Sequence, residues 1–492
     1  MTPRMDALER GAVLFFAALH VAGCATSPLH EPAPPEAKVT QATSSAPATH
    51  AASAGSASSA PAAPAASADA ASGAARRVDA EPASSSVSAT GPSQGTPLSP
   101  APGPLNVILI TIDAMRADMP WAGYPRDIAP NLTALEKASV SYTRAYSVSS
   151  STAMSFAGLL SGRYPSELER SGSFFSAHPD SVEFFPERLQ RAGVRTVAAH
   201  AHFYFEKKAG FHQGFDAYRM VEGLSADNTT DKNVTSPQHL ALAKELLGDE
   251  HLKKGPFFAW FHFMDAHDLY VSHPGIDFGK KPRDRYDGEL RYLDGHLGEL
   301  FAFIEKAPWA SRTAVIVTAD HGEAFGEHKM TRHGFELWEP LVHVPLFAKI
   351  PGLAPKRIDT PRSAIDLAPT ILDLLGVPAD ASYQGQSLVA ELAGTALPEE
   401  RDVIVDLPRT GDNFRRRALV RGRYKLISHD DDFRLDLYDL GKDPGETREL
   451  RQAEPDVYRD MKRRYEERRQ RIKDICPKRR DNLKGKRPEK PC

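Results

Sequence analysis

The chain runs to 492 residues, with 61 Lys and Arg against 64 Asp and Glu and a formal net charge of −3. That balance argues against a nucleic-acid partner, whose phosphates call for a strongly basic surface. The length allows one large domain and a smaller one.

The first elements concern export. Residues 1–23 carry Arg4 and Arg10, then an apolar stretch over 11–22. The stretch is too short to span a bilayer and fits a signal-peptide core. It runs into Val21-Ala22-Gly23-Cys24, which resembles the bacterial lipobox. The resemblance implies cleavage before Cys24, acylation of its thiol, and a lipid-anchored protein in the periplasm or on the outer surface. An ordinary signal peptide followed by a chance cysteine is the other reading. Ala25 follows Cys24, so nothing resembling an inner-membrane retention aspartate is present. Residues 24–104 are Ala, Ser, Pro, Gly and Thr with scattered charges. Such a segment cannot bury enough apolar surface to offset its ordering entropy. It reads as a tether with a random-coil reach of roughly 50 Å.

From residue 105 onward, apolar runs alternate with helical patterns. Strands are predicted at 106–112, 194–199, 256–263, 313–319, 344–349 and 403–407. Helices are predicted at 130–138, 152–161, 183–193, 237–248, 288–307 and 365–375. This alternation predicts an α/β fold with a large, mainly parallel sheet flanked by helices over 105–400. After about 400 the pattern changes. ALVRGRYKLISH and FRLDLYDL predict a short antiparallel hairpin, and an amphipathic helix follows from about 455 to 473. Residues 401–475 thus form a small C-terminal antiparallel subdomain, and 476–492 a basic tail.

Two strands end on carboxylates. NVILITIDAMRAD stops at Asp113, and TAVIVTADHGEAFGEH stops at Asp320 with His321 beside it. Open α/β sheets place their sites beyond the carboxyl ends of the strands. Two carboxylates and an imidazole meeting there suit a divalent cation. Between them lies SSSTAMSFAGLLSGRYP, with Thr152 at the start of a predicted helix that stops at Gly162. Taken alone, Thr at a helix start is a cap, worth about 1 kcal/mol. At a helix N-terminus it is also placed to act as a nucleophile toward an anionic substrate. Both readings can hold at once.

These residues resemble the sulfatase and alkaline phosphatase superfamily, over roughly 105–450. TIDAMRAD resembles its first metal motif, LLSGRYP the stretch after the nucleophile, ADHGEAFGEH the second metal motif and LYDLGKDPGE its C-terminal signature. In the family the nucleophile lies ten residues before the glycine of the LLTG-type motif, which points to Thr152. True sulfatases carry there a cysteine or serine that becomes formylglycine, with an arginine four residues on. Here the window is Thr152-Ala153-Met154-Ser155-Phe156. Threonine cannot become formylglycine, and a Thr nucleophile resembles the phosphodiesterase and phosphoethanolamine-transferase branches.

The resemblance implies a metal-dependent hydrolase or transferase acting on a phosphate ester, in preference to a sulfate ester, through Thr152. It also implies a divalent ion (Mn, Zn, Mg or Ca) held by Asp113, Thr152, Asp320 and His321. A second metal site is less complete. His333 stands where relatives have a metal- or substrate-binding histidine. Asp265 and His267 lie two apart where two-metal relatives have an Asp and His four apart. His267 and His333 therefore read as binders of the anion or as the general acid. His262, inside an apolar strand, reads as a core histidine. His200 and His202 lie out of register with the lysine and histidine of sulfatases, and Arg116 reads as a residue that orients its loop. A non-catalytic lipoprotein using a degenerate sulfatase fold for binding is the alternative, but it has no use for these residues together.

From Lys462 to Lys490, fourteen Lys and Arg face five Asp and Glu. A solvated helix and tail, or contact with anionic lipid headgroups, are the two readings. Cys476 and Cys492 lie in this tail, and outside the cytoplasm they are expected to pair.

Overall fold

The computed structural model describes residues 103–224 and 234–477. The signal peptide, the Cys24 tether and the tail beyond residue 477 lie outside the described residues. No helix among the described residues is long and apolar enough to cross a membrane.

The chain builds β1 (Asn106–Ile112), β2 (Val140–Tyr146), β3 (Arg195–His200), β4 (Ala217–Met220), β5 (Phe257–Phe263) and β6 (Thr313–Ala319). Two short strands follow, β7 (Ala324–Phe325) and β8 (Thr331–Arg332), then β9 (His343–Lys349), β10 (Lys356–Ile358) and β11 (Arg362–Ser363). The main sheet has nine strands in the order β10-β2-β9-β6-β1-β5-β3-β4, with β11 also pairing β2. β1 is central and parallel to both β5 and β6. Every residue of β1, β5 and β6 is buried. That explains why these strands read as continuous apolar runs rather than alternating ones.

The predicted α/β fold is therefore the observed one, with one reversal. β9 runs antiparallel to β6 and to β2. β2, whose sequence VSYTRAY carries polar residues, was not among the predicted strands. The helix predicted from 288 begins earlier, at Pro282, because its polar first turn hides the start. The strand predicted at 403–407 belongs to a second sheet. That sheet is antiparallel and four-stranded, formed by β12 (Val403–Leu407), β13 (Arg416–Arg421), β14 (Tyr424–His429) and β15 (Arg434–Asp439). Helix Pro455–Arg471 buries Met461 and Tyr465 against it.

The second sheet joins the main body through buried charges. Arg417 Nε donates to Asp406 Oδ1 at 2.8 Å, and Asp406 Oδ2 accepts from the Ser166 amide at 2.8 Å. Lys425 Nζ stands 2.8 Å from both Glu339 Oε1 and Glu446 Oε1.

Candidate functional site

β1 and β6 run side by side in parallel register, with Ile112 opposite Ala319. The next residue on each is therefore brought to the same edge of the sheet. These are Asp113 and Asp320, both essentially inaccessible to solvent. The Ala114 and His321 amides donate to Asp320 Oδ1 at 3.3 and 3.0 Å. Gly322 lets the turn after β6 pack closely: its amide donates to Leu341 O at 2.9 Å, and a Cβ there would lie 2.1 Å from the Pro340 carbonyl oxygen.

Helix Thr152–Ser161 points its N-terminus at this edge and ends at Gly162, whose φ of 65° is a left-handed cap. Thr152 is the first helical residue, so its cap position belongs to Ser151, which makes no side-chain cap. Thr152 Oγ1 instead lies 3.0 Å from His321 Nε2. His321 Nδ1 faces the Gly322 carbonyl oxygen at 2.9 Å and so carries the proton. Nε2 then presents its lone pair to Thr152 and to Asp320 Oδ2, 3.3 Å away.

Asp113, Asp320 and His321 form a group able to hold a metal ion, their ligand atoms all within 4.8 Å of one another. Asp113 Oδ1 and Asp320 Oδ2 are buried without a hydrogen-bond donor. Two orphaned carboxylate oxygens and an imidazole lone pair facing one another are costly without a cation. The donor set therefore fits a divalent ion, with oxygen and imidazole ligands open to Mn, Zn or Mg. The charges tell the same story. Burial and the charge of Asp113 push the Asp320 carboxyl up to about 7. Burial opposes ionisation of Asp113 too, but His267, His262 and His321 hold it far below the usual carboxylate range. Burial lowers His321, which keeps the ring neutral.

The remaining histidines sort by position. His333 stacks on His321 with ring centroids 4.0 Å apart, and His267 lies 5.3 Å from His333. Both therefore stand together beside Thr152's partner. Asp265 does not join them. It accepts from the Thr235 and Ser236 amides at 2.7 and 2.9 Å and so caps helix Ser236–Leu247. Among the described residues no second metal-holding group occurs.

His262 is a core histidine, yet it touches the site: Nδ1 meets Thr111 Oγ1 at 3.0 Å and Nε2 meets Asp113 Oδ2 at 3.3 Å. His200 is buried among Phe205, Trp260 and Tyr218, away from any polar partner. His202 borders the site, its ring 6.1 Å from that of His267, and burial pushes it down to about 3. Arg116 spends its guanidinium on Asp118, Glu327 and the Glu323 carbonyl oxygen, so it fixes loops. Phe156, four residues after Thr152, packs on His262 at 4.7 Å and on Trp260 at 4.9 Å.

Sequence reasoning passed over Glu323. It is buried, 3.3 Å from His333 Nδ1, and accepts from Tyr270 Oη at 3.0 Å. Burial would raise its carboxyl, but His333 outweighs this and holds it below the ordinary range. Its place two residues after His321 in the same turn was the available signal.

A family model described as Sulfatase matches residues 105–377, more than half of the chain. The chain belongs to the sulfatase family. A second model, described as N-sulphoglucosamine sulphohydrolase, C-terminal, matches residues 326–472 of this family member. Among curated proteins, arylsulfatase K of Danio rerio is 29% identical over 218 residues, covering 41% of this chain and 42% of that one. A delta 4,5-hexuronate-2-O-sulfatase of Bacteroides thetaiotaomicron is 29% identical over 150 residues, covering 29% and 31%. These alignments thus span less than half of the curated relatives. Among solved structures, the phosphonate monoester hydrolase of Agrobacterium radiobacter shares the fold with a TM-score of 0.60 at 18% identity, covering 75% of this chain and 96% of that one.

Proposed function

We propose that this sulfatase-family chain hydrolyses an anionic ester, a phosphate ester in preference to a sulfate ester, with Thr152 as the nucleophile. The observation that carries the reading is Thr152 Oγ1 at a helix N-terminus, 3.0 Å from His321 Nε2 and beside the orphaned oxygens of Asp113 and Asp320. Asp113, Thr152, Asp320 and His321 are the residues that would hold a divalent ion. Such an ion, when bound, lowers the hydroxyl pKa and offsets charge on the ester oxygens.

The chain's own residues supply the rest. The free amides at the start of helix Thr152–Ser161 orient the anion. Thr152 Oγ gives up its proton to water and attacks the phosphorus, forming a Thr–O–P bond as the bond to the alcohol oxygen breaks. His333 and His267 face the departing oxygen, and one of them gives it a proton. Glu323 on His333 Nδ1 leaves Nε2 for that task. Water then cleaves the threonine ester, releasing phosphate and restoring the hydroxyl; an acceptor alcohol in place of water would make the same site a transferase. Formylglycine expels sulfate from a hydrated aldehyde, whereas a plain threonine would be left as a sulfate ester needing separate hydrolysis. That difference supports the preference for phosphate.

The test is a panel of matched phosphate and sulfate esters with added divalent ions. Thr152→Ala should abolish turnover while folding is retained. A variant that keeps most of its rate would make water, not Thr152, the nucleophile. A higher kcat/KM on the sulfate than on the matched phosphate would overturn the preference. For location, the lipobox supports a lipid-anchored protein outside the cytoplasm.

A further inference from the structure

Four phenylalanines stand beside the histidines, the Phe203 ring lying 4.1 Å from that of His202. Phe335 is two residues from His333, and Phe203 is next to His202. Phe174 stacks on Phe335 at 5.4 Å and meets Phe175 edge-on at 5.3 Å. Phe175 in turn meets Phe203 at 5.8 Å. The rim is continuous with the site: a Cβ on Gly334, beside His333, would come within 2.7 Å of the Phe174 ring and 3.9 Å of the Ser150 carbonyl oxygen. Phe175 and Phe335 are 40% and 46% exposed. They are two of the few large apolar side chains left open on the described surface.

The rim is held rather than loose. Ser176 Oγ donates to the Ser171 and Ser173 carbonyl oxygens, Tyr204 Oη donates to Ser176 O at 2.9 Å, and the Gly411 amide donates to Gly172 O at 2.7 Å. The loop bearing Phe174 and Phe175 is therefore tied at its base while Phe175 stays exposed and Phe174 half-buried. Ordering these rings on binding costs little, because packing has already ordered them.

The chemistry of the rim decides what it can receive. A phenyl ring offers no hydrogen bond, whereas each sugar hydroxyl brought out of water needs a partner. The charged side chains that flank Phe335 are already engaged: Arg332 with Asp268 at 2.7 Å and Glu336 with Arg416 at 3.0 Å.

We propose that the alcohol released by this enzyme is apolar, its body lying against Phe174, Phe175, Phe203 and Phe335, and is not a sugar. The proposal rests on the reading of Thr152 as the centre of the reaction. It makes the four rings specificity-determining residues.

The test compares benzyl phosphate, methyl phosphate and glucose 6-phosphate on the full-length protein with Mn²⁺. All three release alkoxides of comparable basicity, so rate differences report recognition rather than leaving-group chemistry. The kcat/KM for benzyl phosphate should exceed the other two by about tenfold or more, the scale of one well-placed apolar group. In Phe175→Ala/Phe335→Ala the benzyl-to-methyl ratio should fall by about tenfold. Both side chains are exposed, so folding should tolerate their loss. Glucose 6-phosphate turned over as well as benzyl phosphate, or a ratio unchanged in the double variant, overturns the proposal. If no ester is turned over, the Thr152 reading fails, and calorimetric binding of benzylphosphonate against methylphosphonate still decides the rim. A benzyl preference that the double variant loses sustains it, and equal affinities overturn it.

Discussion

Lys425→Met should destabilise the protein in a pH-dependent way. Lys425 is fully buried on β14, with Glu339 and Glu446 each 2.8 Å from its ammonium group. Glu339 also faces His343 at 3.5 Å, and its backbone amide donates to Glu446 Oε2 at 2.6 Å. Methionine fills the volume but leaves two buried carboxylates without their cation. Removing one partner of a buried ionic group costs about 3–5 kcal/mol. A folded body of roughly 370 residues has an unfolding entropy of about 0.8 kcal/mol/K, so the melting temperature should fall by about 4–6 °C. In the intact triad Glu446 is already pushed up to about 7, by burial and then by Glu339, with Lys425 opposing. Without Lys425 the Glu446 carboxyl rises further above its unfolded value, and Glu339, which Lys425 holds below its ordinary range, is pushed up by burial. The folded variant then holds protons that the unfolded chain releases. Its stability is fullest below the unfolded carboxyl range, near 4.3, and is lost as pH rises from there toward the raised folded values. Calorimetry at pH 5 and pH 8 should therefore show the larger deficit at pH 8. A loss under about 1 kcal/mol, or one equal at both pH values, refutes the reasoning. Activity should fall as well, because Glu339 adjoins Pro340 and Leu341, on which the Gly322 turn rests.

Three further outcomes are expected. Asp320→Asn removes one charge from the candidate metal group and should weaken Mn²⁺ binding by at least about tenfold in calorimetric titration; unaltered affinity would place the ion elsewhere. Asp265→Ala strips the cap from helix Ser236–Leu247 and should cost about 1–2 kcal/mol in urea unfolding, and a loss as steep as that of a metal ligand in Mn²⁺ titration would return Asp265 to the site. Non-reducing mass spectrometry of the mature protein should find diacylglycerol on Cys24 and no free thiol. Cys476 is disulfide-bonded, and a Cys476–Cys492 fragment would identify its partner. An unacylated Cys24 would defeat the anchor without touching the disulfide.

The sequence by itself determined the elements whose burial is uniform. β1, β5 and β6 are buried along their whole length and so read as near-continuous apolar runs, and helix Thr152–Ser161 announces itself by its apolar residues and by Gly162. Asp113 and Asp320 were legible because each follows such a strand directly, where side-chain identity departs abruptly from the run before it; His321 adjoins Asp320, and Thr152 opens the helix. The tertiary structure alone decided strand direction and the fate of polar residues. β9 looks like its neighbours in composition, yet it runs antiparallel, since an apolar run does not encode its sense. β2 escaped notice because its mixed sequence has Thr143 exposed and Arg144 half-buried within the strand. Asp265 and His267 stand two residues apart in sequence, but one caps a helix and the other faces His333. Glu323 gains its importance only from His333, ten residues on and folded back to within hydrogen-bonding reach. The rim of Phe174, Phe175, Phe203 and Phe335 draws on three separate segments, and Lys425 finds Glu339 across 86 residues. A local pattern reports how one segment meets solvent. Partners brought together from distant segments are set by packing, and no local pattern carries them.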